Sequence, residues 1–219
     1  YRKTFLERYK IMNIDSIIFD LDGTLWNSIE GVCTVWKTVL ANYPNIDKVI
    51  TPNDMKNCMG LTIDKAGKKL FPNLNETLQM QLMRECCKAE VVYLGNHGGK
   101  LYPKVEDTLK CLSKKYKLFI VSNCQDGYIQ CFFKAHKLDK YFTDIECSGV
   151  TGLPKGENNK LIIERNNLQH PVYVGDTTGD RESAVVANIP FIYARYGFGT
   201  VDDYDYVIDN FEDIISLSL

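Results

Sequence analysis

Four short segments of the chain carry side chains that together suit phosphoryl transfer. They are DLDGT at residues 20–24, Ser122-Asn123, Lys155, and GDTTGD at residues 175–180. A carboxylate can attack phosphorus when a cation neutralises the incoming anion. A second carboxylate two residues further on can give a proton to the leaving oxygen and later take one from water. Few other chemistries need several acidic groups, one hydroxyl and one lysine at once.

The segments are expected to meet because of the elements that precede them. Apolar runs predict buried strands over 15–20, 117–122 and 172–175, and each ends at one of the polar segments. Further strands are predicted near 142–147, 191–194 and 206–208, with helices over 103–115, 128–137, 157–167 and 180–188. Strands that alternate with helices predict an α/β fold with a doubly wound (Rossmann-like) parallel sheet. Such a sheet collects ligand groups at the C-terminal ends of its strands.

A helical insertion interrupts this alternation after the first strand. The sequence predicts four helices there, over 29–41, 52–58, 63–70 and 75–94. Thr51 and Asn75 are typical helix N-caps, and the glycine-rich run 95–99 predicts a break and a hinge. We therefore expect three parts: a core of residues 12–28 and 100–219, an inserted domain of residues 29–99, and a tag remnant or N-terminal extension over 1–11.

Composition and charge exclude several classes of partner. The 219 residues are 45% apolar and 25% charged, with a formal net charge of −2 and no long basic run. Nucleic acid is therefore not expected as a partner. We expect neither a membrane span nor a secretory signal, because no apolar run has the required length or position. Eight cysteines without zinc or disulfide spacing indicate reduced thiols of a cytoplasmic protein. A monomer or a homodimer would both agree with the sequence.

Several candidate residues have a simpler explanation when each is taken alone. A serine and an asparagine after a strand are ordinary turn residues, and a lysine between proline and glycine is typical of a solvated loop. Asp180 could serve only as a helix cap. Hard oxygen ligands at Asp176 and Asp180 nevertheless suit Mg²⁺, which binds few protein carboxylates and keeps several waters. The order and context of all four segments favour one shared site.

This ordered set resembles the haloacid dehalogenase (HAD) superfamily of aspartate-nucleophile phosphatases. The matching segments are DLDGT, VSN, the lysine of GLPKG, and GDTTGD, and the resemblance extends over about residues 13–199. Within the superfamily the chain resembles the phosphoglycolate-phosphatase branch. GTLWNS at 23–28 stands where that branch commonly has a GTLxDS run, from which Asn27 departs, and the Gly-Phe-Gly at 197–199 looks like its final loop. The helical insertion looks like the superfamily's cap domain.

The resemblance implies a Mg²⁺-dependent phosphatase that hydrolyses a small phosphomonoester through an aspartyl-phosphate intermediate. Asp20 would be the nucleophile and Asp22 the general acid and base. Asp20, the Asp22 main-chain carbonyl and Asp176 would ligate Mg²⁺, with Asp180 supporting that site. The remaining matching residues would bind the transferring phosphoryl group: Thr24, Ser122, Asn123 and Lys155. Lys155 would also hold the Asp20 carboxylate in place.

Two residues narrow the function further. Asp22 argues against carbon–halogen cleavage, because an alkoxide leaving group needs a proton and a halide does not. The β-phosphoglucomutase branch usually has a histidine where this chain has Val32. A β-phosphoglucomutase-like phosphomutase and a non-catalytic phospho-ligand-binding protein remain as alternatives.

The cap is expected to choose the substrate. Its candidate contact residues lie around the MGLT loop: Lys56, Asn57, Met59, Gly60, Leu61 and Lys65. Trp26 is expected to lie either in the core or, with Asn27, near the flap that opens and closes the cap, with neither favoured.

Overall fold

The computed structural model describes residues 13–217 of the chain. The predicted extension over 1–11 lies outside the described residues. Within them, eight strands occur in the following order: β1 (Ser16–Phe19), β2 (Trp26–Asn27), β3 (Lys100–Leu101), β4 (Lys117–Ser122), β5 (Asp144–Cys147), β6 (Pro171–Gly175), β7 (Phe191–Ala194) and β8 (Tyr206–Ile208).

Nine α-helices accompany these strands in the described part of the chain: α1 (Ile29–Leu40), α2 (Pro52–Lys56), α3 (Ile63–Leu70), α4 (Glu76–His97), α5 (Val105–Leu112), α6 (Tyr128–His136), α7 (Ser148–Thr151), α8 (Lys155–Arg165) and α9 (Thr178–Ala187). Short 3₁₀ helices cover Asp139–Tyr141 and Phe211–Ser216. None of the helices within 13–217 is long and apolar enough to cross a bilayer.

Six strands form one parallel sheet in the order β5-β4-β1-β6-β7-β8. Successive side chains of a strand point to opposite faces, and helices cover both faces here. Ile17 and Phe19 lie in the cluster that contains Leu109 of α5, whereas Ile18 packs in the cluster that contains Ile162 of α8. This double coverage explains why segments 17–19, 118–121 and 172–174 of the central strands are apolar, and it confirms the predicted doubly wound fold.

The helical insertion follows its sequence signals closely at two helix starts. Thr51 and Asp54 form a capping box at α2, in which the Asp54 N–H donates to Thr51 Oγ1 at 3.1 Å and the Thr51 N–H donates to Asp54 Oδ2 at 2.9 Å. The Leu78 N–H donates to Asn75 Oδ1 at 2.9 Å at the start of α4. Such caps satisfy N–H groups that have no partner inside the helix.

The predicted break over 95–99 is wrong in its position. Helix α4 continues through Gly95 to His97 and ends at Gly98, whose φ of +72° suits glycine. Leu94 is fully buried, and an added Cβ at Gly95 would meet Cys131 and Lys134 of α6 at ordinary contact distances. Packing of α4 against α6 therefore outweighs the low helix propensity of Gly95.

Two short strands bracket the insertion, and the sequence pattern did not predict them. Strand β2 pairs antiparallel with β3, with Trp26 opposite Leu101 and Asn27 opposite Lys100. The pair joins the chain entering the insertion to the chain leaving it. Trp26 is fully buried and forms edge-to-face ring contacts with Tyr128 and Phe132, which makes it a core residue beside this crossing.

Candidate active site

Three of the predicted segments meet at the C-terminal ends of adjacent strands. Strand β1 lies between β4 and β6, with Phe19 level with Ile120 and Val174. The Asp20 N–H donates to the Val174 carbonyl at 2.8 Å, so the ladder to β6 continues one residue beyond β1. Asp20, Ser122 and Asp176 therefore come to the same edge of the sheet. They lie at the topological switch point, where successive strands are added on opposite sides of β1.

Lys155 lies within this group of residues rather than in a solvated loop. It is the first residue of α8, two residues earlier than the predicted helix start, and only 3% of it is exposed. Its Nζ donates to Asp20 Oδ1 at 2.7 Å and to Asp180 Oδ1 at 2.6 Å. A buried ammonium group that touches two carboxylates fixes the orientation of both.

Asp180 does two structural jobs at the start of α9. Thr177 is the N-cap, and Asp180 completes a capping box by accepting the Thr177 N–H at 2.9 Å through Oδ2. The same oxygen accepts the Asp176 N–H at 3.2 Å, while Oδ1 holds Lys155. The helix start thus ties Asp176 and Lys155 to one fully buried carboxylate.

Two glycines and one main-chain amide enclose Asp176. A Cβ at Gly23 or at Gly197 would overlap the Asp176 side chain, and Gly23 has a φ of +87° that favours glycine. The Phe198 N–H donates to Asp176 Oδ2 at 2.7 Å. The other oxygen, Oδ1, is buried and has no hydrogen-bond partner among the described residues. A buried carboxylate oxygen without a hydrogen-bond partner is suited to bind a ligand.

The acidic cluster fits a divalent cation. Oxygens of Asp20, Asp176 and Asp180 lie within 4.8 Å of one another, and all three residues are buried. Three carboxylates and the single ammonium of Lys155 leave two negative charges uncompensated in this cluster. Burial accordingly raises the pKa of Asp20 to about 7 despite Lys155, and burial with two neighbouring carboxylates raises that of Asp176. Hard oxygen donors and this excess of negative charge suit a hard divalent cation.

Asp22 is held by two hydroxyl groups that the sequence analysis missed. Ser28 Oγ donates to Asp22 Oδ1 at 2.7 Å, and the Tyr128 hydroxyl donates to the same oxygen at 3.0 Å. The two hydroxyl oxygens are themselves 2.9 Å apart. Burial raises the pKa of Asp22, and these hydrogen bonds oppose the rise. A carboxyl group with a raised pKa is suited to proton transfer near neutral pH.

Asn123 and Thr24, two of the predicted phosphate ligands, lie outside the contact cluster that Lys155 forms with Asp20 and Asp180. The Asn123 amide donates to the Gly60 carbonyl at 2.8 Å and accepts the Ser148 hydroxyl at 2.8 Å and the Lys155 N–H at 3.1 Å. Its side chain thus joins the sheet edge to the insertion. Thr24 is fully buried, and its hydroxyl has no hydrogen-bond partner within residues 13–217. The phosphate-binding roles of both residues stay predictions.

A cavity opens beside the strand ends, between the sheet edge and the insertion. Asp20, Asp22 and Ser122 form its floor. Among the predicted cap residues, Met59, Gly60 and Leu61 line the cavity. Lys56, Asn57 and Lys65 are exposed and lie outside its lining in the described structure. The MGLT loop therefore contributes apolar residues to the cavity, and the lysines on either side of the loop stay outside it.

All eight cysteines are free, in agreement with the absence of disulfide spacing. Cys124 lies beside the site, and burial raises the pKa of its thiol well above its ordinary value. A thiol that resists ionisation is a weak nucleophile, so Cys124 is assigned to packing.

Comparison with known proteins assigns the family. The model of the haloacid dehalogenase-like hydrolase family matches residues 17–194. The chain belongs to the haloacid dehalogenase-like hydrolases. It is 25% identical to a phosphoglycolate phosphatase of Vibrio vulnificus over 94% of this chain and 96% of that protein. It is 27% identical to a phosphoglycolate phosphatase of Haemophilus influenzae over 91% of this chain and 96% of that protein.

Solved structures support the fold of this HAD-like hydrolase. A haloacid dehalogenase-like family hydrolase from Streptococcus pneumoniae matches with a TM-score of 0.81 at 20% identity, covering 93% of this chain and 97% of that one. The predicted superfamily, its phosphoglycolate-phosphatase-like branch and the enzyme class are confirmed.

The hydrolase thus assembles most of the predicted site residues within a few ångströms. Asp20, Asp176, Asp180 and Lys155 form one contact cluster, and Ser122 faces the same cavity as Asp20 and Asp22. Sequence reasoning missed Ser28, Tyr128 and the Phe198 amide. Ser28 and Phe198 have local signals, because Ser28 ends the GTLWNS run and Phe198 lies in the Gly-Phe-Gly loop, both already noted.

Proposed function

We propose that this HAD-like hydrolase is a Mg²⁺-dependent phosphatase that cleaves a small phosphomonoester through an aspartyl-phosphate on Asp20. The observation that carries the proposal is the placement of Asp20. Its carboxylate lies at the floor of the cavity, 2.7 Å from the Lys155 ammonium, with Asp22 on the same floor. Relatives named phosphoglycolate phosphatase support the same reaction class.

In the first half-reaction, an Asp20 oxygen bonds to phosphorus and the ester P–O bond breaks. Asp22 gives its proton to the departing alkoxide, so that a neutral alcohol leaves. In the second half-reaction, Asp22 takes a proton from water while the water oxygen bonds to phosphorus. The bond between phosphorus and Asp20 then breaks, which frees inorganic phosphate and regenerates both carboxyl groups.

Other residues of the chain would bind the charges of the transferring group. Asp20, the Asp22 main-chain carbonyl and Asp176 would hold Mg²⁺, with Asp180 supporting them, and the ion would neutralise phosphoryl oxygens. Ser122, Lys155 and Thr24 would donate to those oxygens, and Asn123 would do so through its main chain, because its amide is already engaged. Residues 29–99 would act as a cap over this site.

The cellular setting is part of the proposal. Eight free cysteines support a reducing compartment such as the cytoplasm. The cavity between sheet edge and insertion supports a small-molecule substrate rather than a macromolecule.

Phosphate release from a panel of small phosphomonoesters, with Mg²⁺ and with EDTA, tests the proposal. We expect release that requires Mg²⁺ and is abolished by Asp20→Asn. A strict need for a sugar bisphosphate activator would instead identify a phosphomutase. Tight binding of phosphate esters without any turnover would identify a binding protein.

A further inference from the structure

One ionisable group in the wall of the cavity takes no part in the proposed reaction. Glu90 of α4 lines the cavity and is only 6% exposed. Trp36 Nε1 donates to its Oε1, and Gln125 Nε2 donates to its Oε2 at 2.6 Å. Since both oxygens accept hydrogen bonds, Glu90 is arranged as an acceptor and has a lone pair left on each oxygen.

Among the described residues, the rest of the wall contains no positive charge to compensate this group. The described residues that line the cavity include no lysine, arginine or histidine. Most are apolar, among them Val32, Trp36, Met55, Leu61, Ile63 and Met83. The nearest buried cation, Lys155, is already bound by two carboxylates.

This composition matters for a substrate with a second acidic group, such as the carboxylate of phosphoglycolate. Such a group would leave water for an apolar wall with no cation to pair with, and it would face Glu90. Like charges placed together in a desolvated site oppose binding strongly. A hydroxyl or ammonium group would instead give Glu90 a hydrogen bond, which is stronger than a neutral one when the acceptor is charged.

We infer that Glu90 is a specificity residue and that the cavity accepts phosphomonoesters whose alcohol half carries no second anionic group and offers Glu90 a hydrogen-bond donor. The inference rests on the proposed phosphatase function and names the substrate class of that site. Hydroxyl-bearing and ammonium-bearing esters share this donor chemistry. The site thus differs in substrate class from that named for its phosphoglycolate phosphatase relatives.

A matched series of esters tests the inference. The series is 2-aminoethyl phosphate, 2-hydroxyethyl phosphate, propyl phosphate and 2-phosphoglycolate, together with the homologues lengthened by two carbons. Each is assayed for kcat/KM with Mg²⁺ at pH 8, where Glu90 is mostly ionised, since burial raises its pKa to about 7. We expect the better donor-bearing ester to exceed the carboxylate ester of equal length by at least about tenfold. Comparison of the amino and hydroxy esters shows which donor the site prefers.

The variant Glu90→Gln separates the specificity role from a purely structural one. It keeps the shape of the side chain but removes its charge. We expect the preference for the ammonium ester over the carboxylate ester to fall by at least about fivefold, a ratio that a uniform loss of activity would leave unchanged. Glu85→Gln, on the same helix but exposed, is the control and should leave every ratio unchanged.

The possible results separate this inference from the proposed function. A wild-type preference for the carboxylate ester, or an order of esters that Glu90→Gln leaves unchanged, would overturn the inference while leaving a phosphatase. If Glu90→Gln does not fold, the order of kcat/KM among the esters in the wild type alone tests the inference. If no ester is hydrolysed, the proposed function fails. Calorimetric binding of the same series to Asp20→Asn with Mg²⁺ then tests the inference: the expected order supports it and the reverse or no order overturns it.

Discussion

The Tyr128 hydroxyl donates a hydrogen bond to Asp22 Oδ1 at 3.0 Å and joins two residues that lie 106 positions apart in sequence. Ser28 donates to the same oxygen at 2.7 Å. Ser28 directly precedes α1, the first helix of the insertion, and Tyr128 begins α6 of the core. The carboxyl group of Asp22, the proposed acid and base, is therefore positioned jointly by the residue before the insertion and by the core.

Loss of these donors should slow turnover. Tyr128→Phe and Ser28→Ala each remove one hydrogen bond to Asp22, and we expect each to lower kcat by about tenfold with little change in KM. The double variant should lose less than the product of the two effects, because both donors share one acceptor oxygen. Steady-state kinetics of the four proteins measure this. Tyr204→Phe is the control, and unchanged kcat in both single variants would remove Ser28 and Tyr128 from this role.

Asp176 should govern the response to Mg²⁺. At about a hundred times its Kd, Mg²⁺ should raise the free energy of unfolding of the wild type by about 2.7 kcal/mol. Asp176→Asn should lose most of this gain. In EDTA the variant should be at least as stable as the wild type, since it removes a buried, uncompensated charge. Urea unfolding measures both effects.

The control for this experiment is Asp202→Asn, which changes an exposed aspartate. It should keep the full Mg²⁺ response. An equal Mg²⁺ response in Asp176→Asn and in the wild type would contradict the proposed ligand set.

Lys155 should stabilise the protein when no metal ion is bound. Lys155→Met leaves Asp20 and Asp180 buried without their shared cation, so the free energy of unfolding in EDTA should fall by about 3–5 kcal/mol. Lys160→Met is the matched control on the same helix. Its exposed pair with Glu157 should contribute less than about 1 kcal/mol. Similar unfolding curves for the two variants would show that the buried ion pairs do not stabilise the fold.

Glu90 should make stability fall as the pH rises. Burial raises its folded-state pKa to about 7 from an ordinary value of 4.5, so the native state binds the proton more tightly than the unfolded state. The stabilisation is complete below pH 4.5 and is lost as the pH rises through 7, with a total of about 3 kcal/mol. Glu90→Gln removes this dependence. Its free energy of unfolding should therefore rise relative to the wild type between pH 5 and pH 8.

The control for the pH series is Glu85→Gln. Hydrogen bonds from Tyr43 and Gln81 lower the pKa of Glu85, so it stays ionised over that range and its effect should not vary with pH. A wild-type difference from Glu90→Gln that stays constant from pH 5 to pH 8 would mean that Glu90 titrates normally.

The site residues at the ends of strands could be predicted from the sequence. Asp20, Ser122 and Asp176 follow or end apolar runs, and parallel pairing brings such ends together whatever the loops do. Lys155 was harder to place, because its local setting between Pro154 and Gly156 indicates exposure. Lys155 can be buried because the carboxylates of Asp20 and Asp180 compensate its charge, and this contact is visible only in the structure.

Other features depend on contacts between distant parts of the chain. Strands β2 and β3 have two residues each, too few for a periodic pattern. Gly95 stays helical because α6 packs against it, a contact that no local signal carries. Glu90 meets Trp36 through the packing of α1 against α4, and it meets Gln125 because the insertion lies over the sheet edge. Tertiary packing decided each of these features.

The most direct test of the central claim is a search for phosphate bound to Asp20 during turnover. The enzyme is quenched with acid in the presence of Mg²⁺ and a hydrolysed ester, and its intact mass and peptide masses are measured. The account predicts one added phosphoryl group, located on Asp20, which accumulates further in Asp22→Asn if hydrolysis of the intermediate is slowed more than its formation. Asp20→Asn should show neither the adduct nor turnover. Near-wild-type turnover in Asp20→Asn would contradict the mechanism.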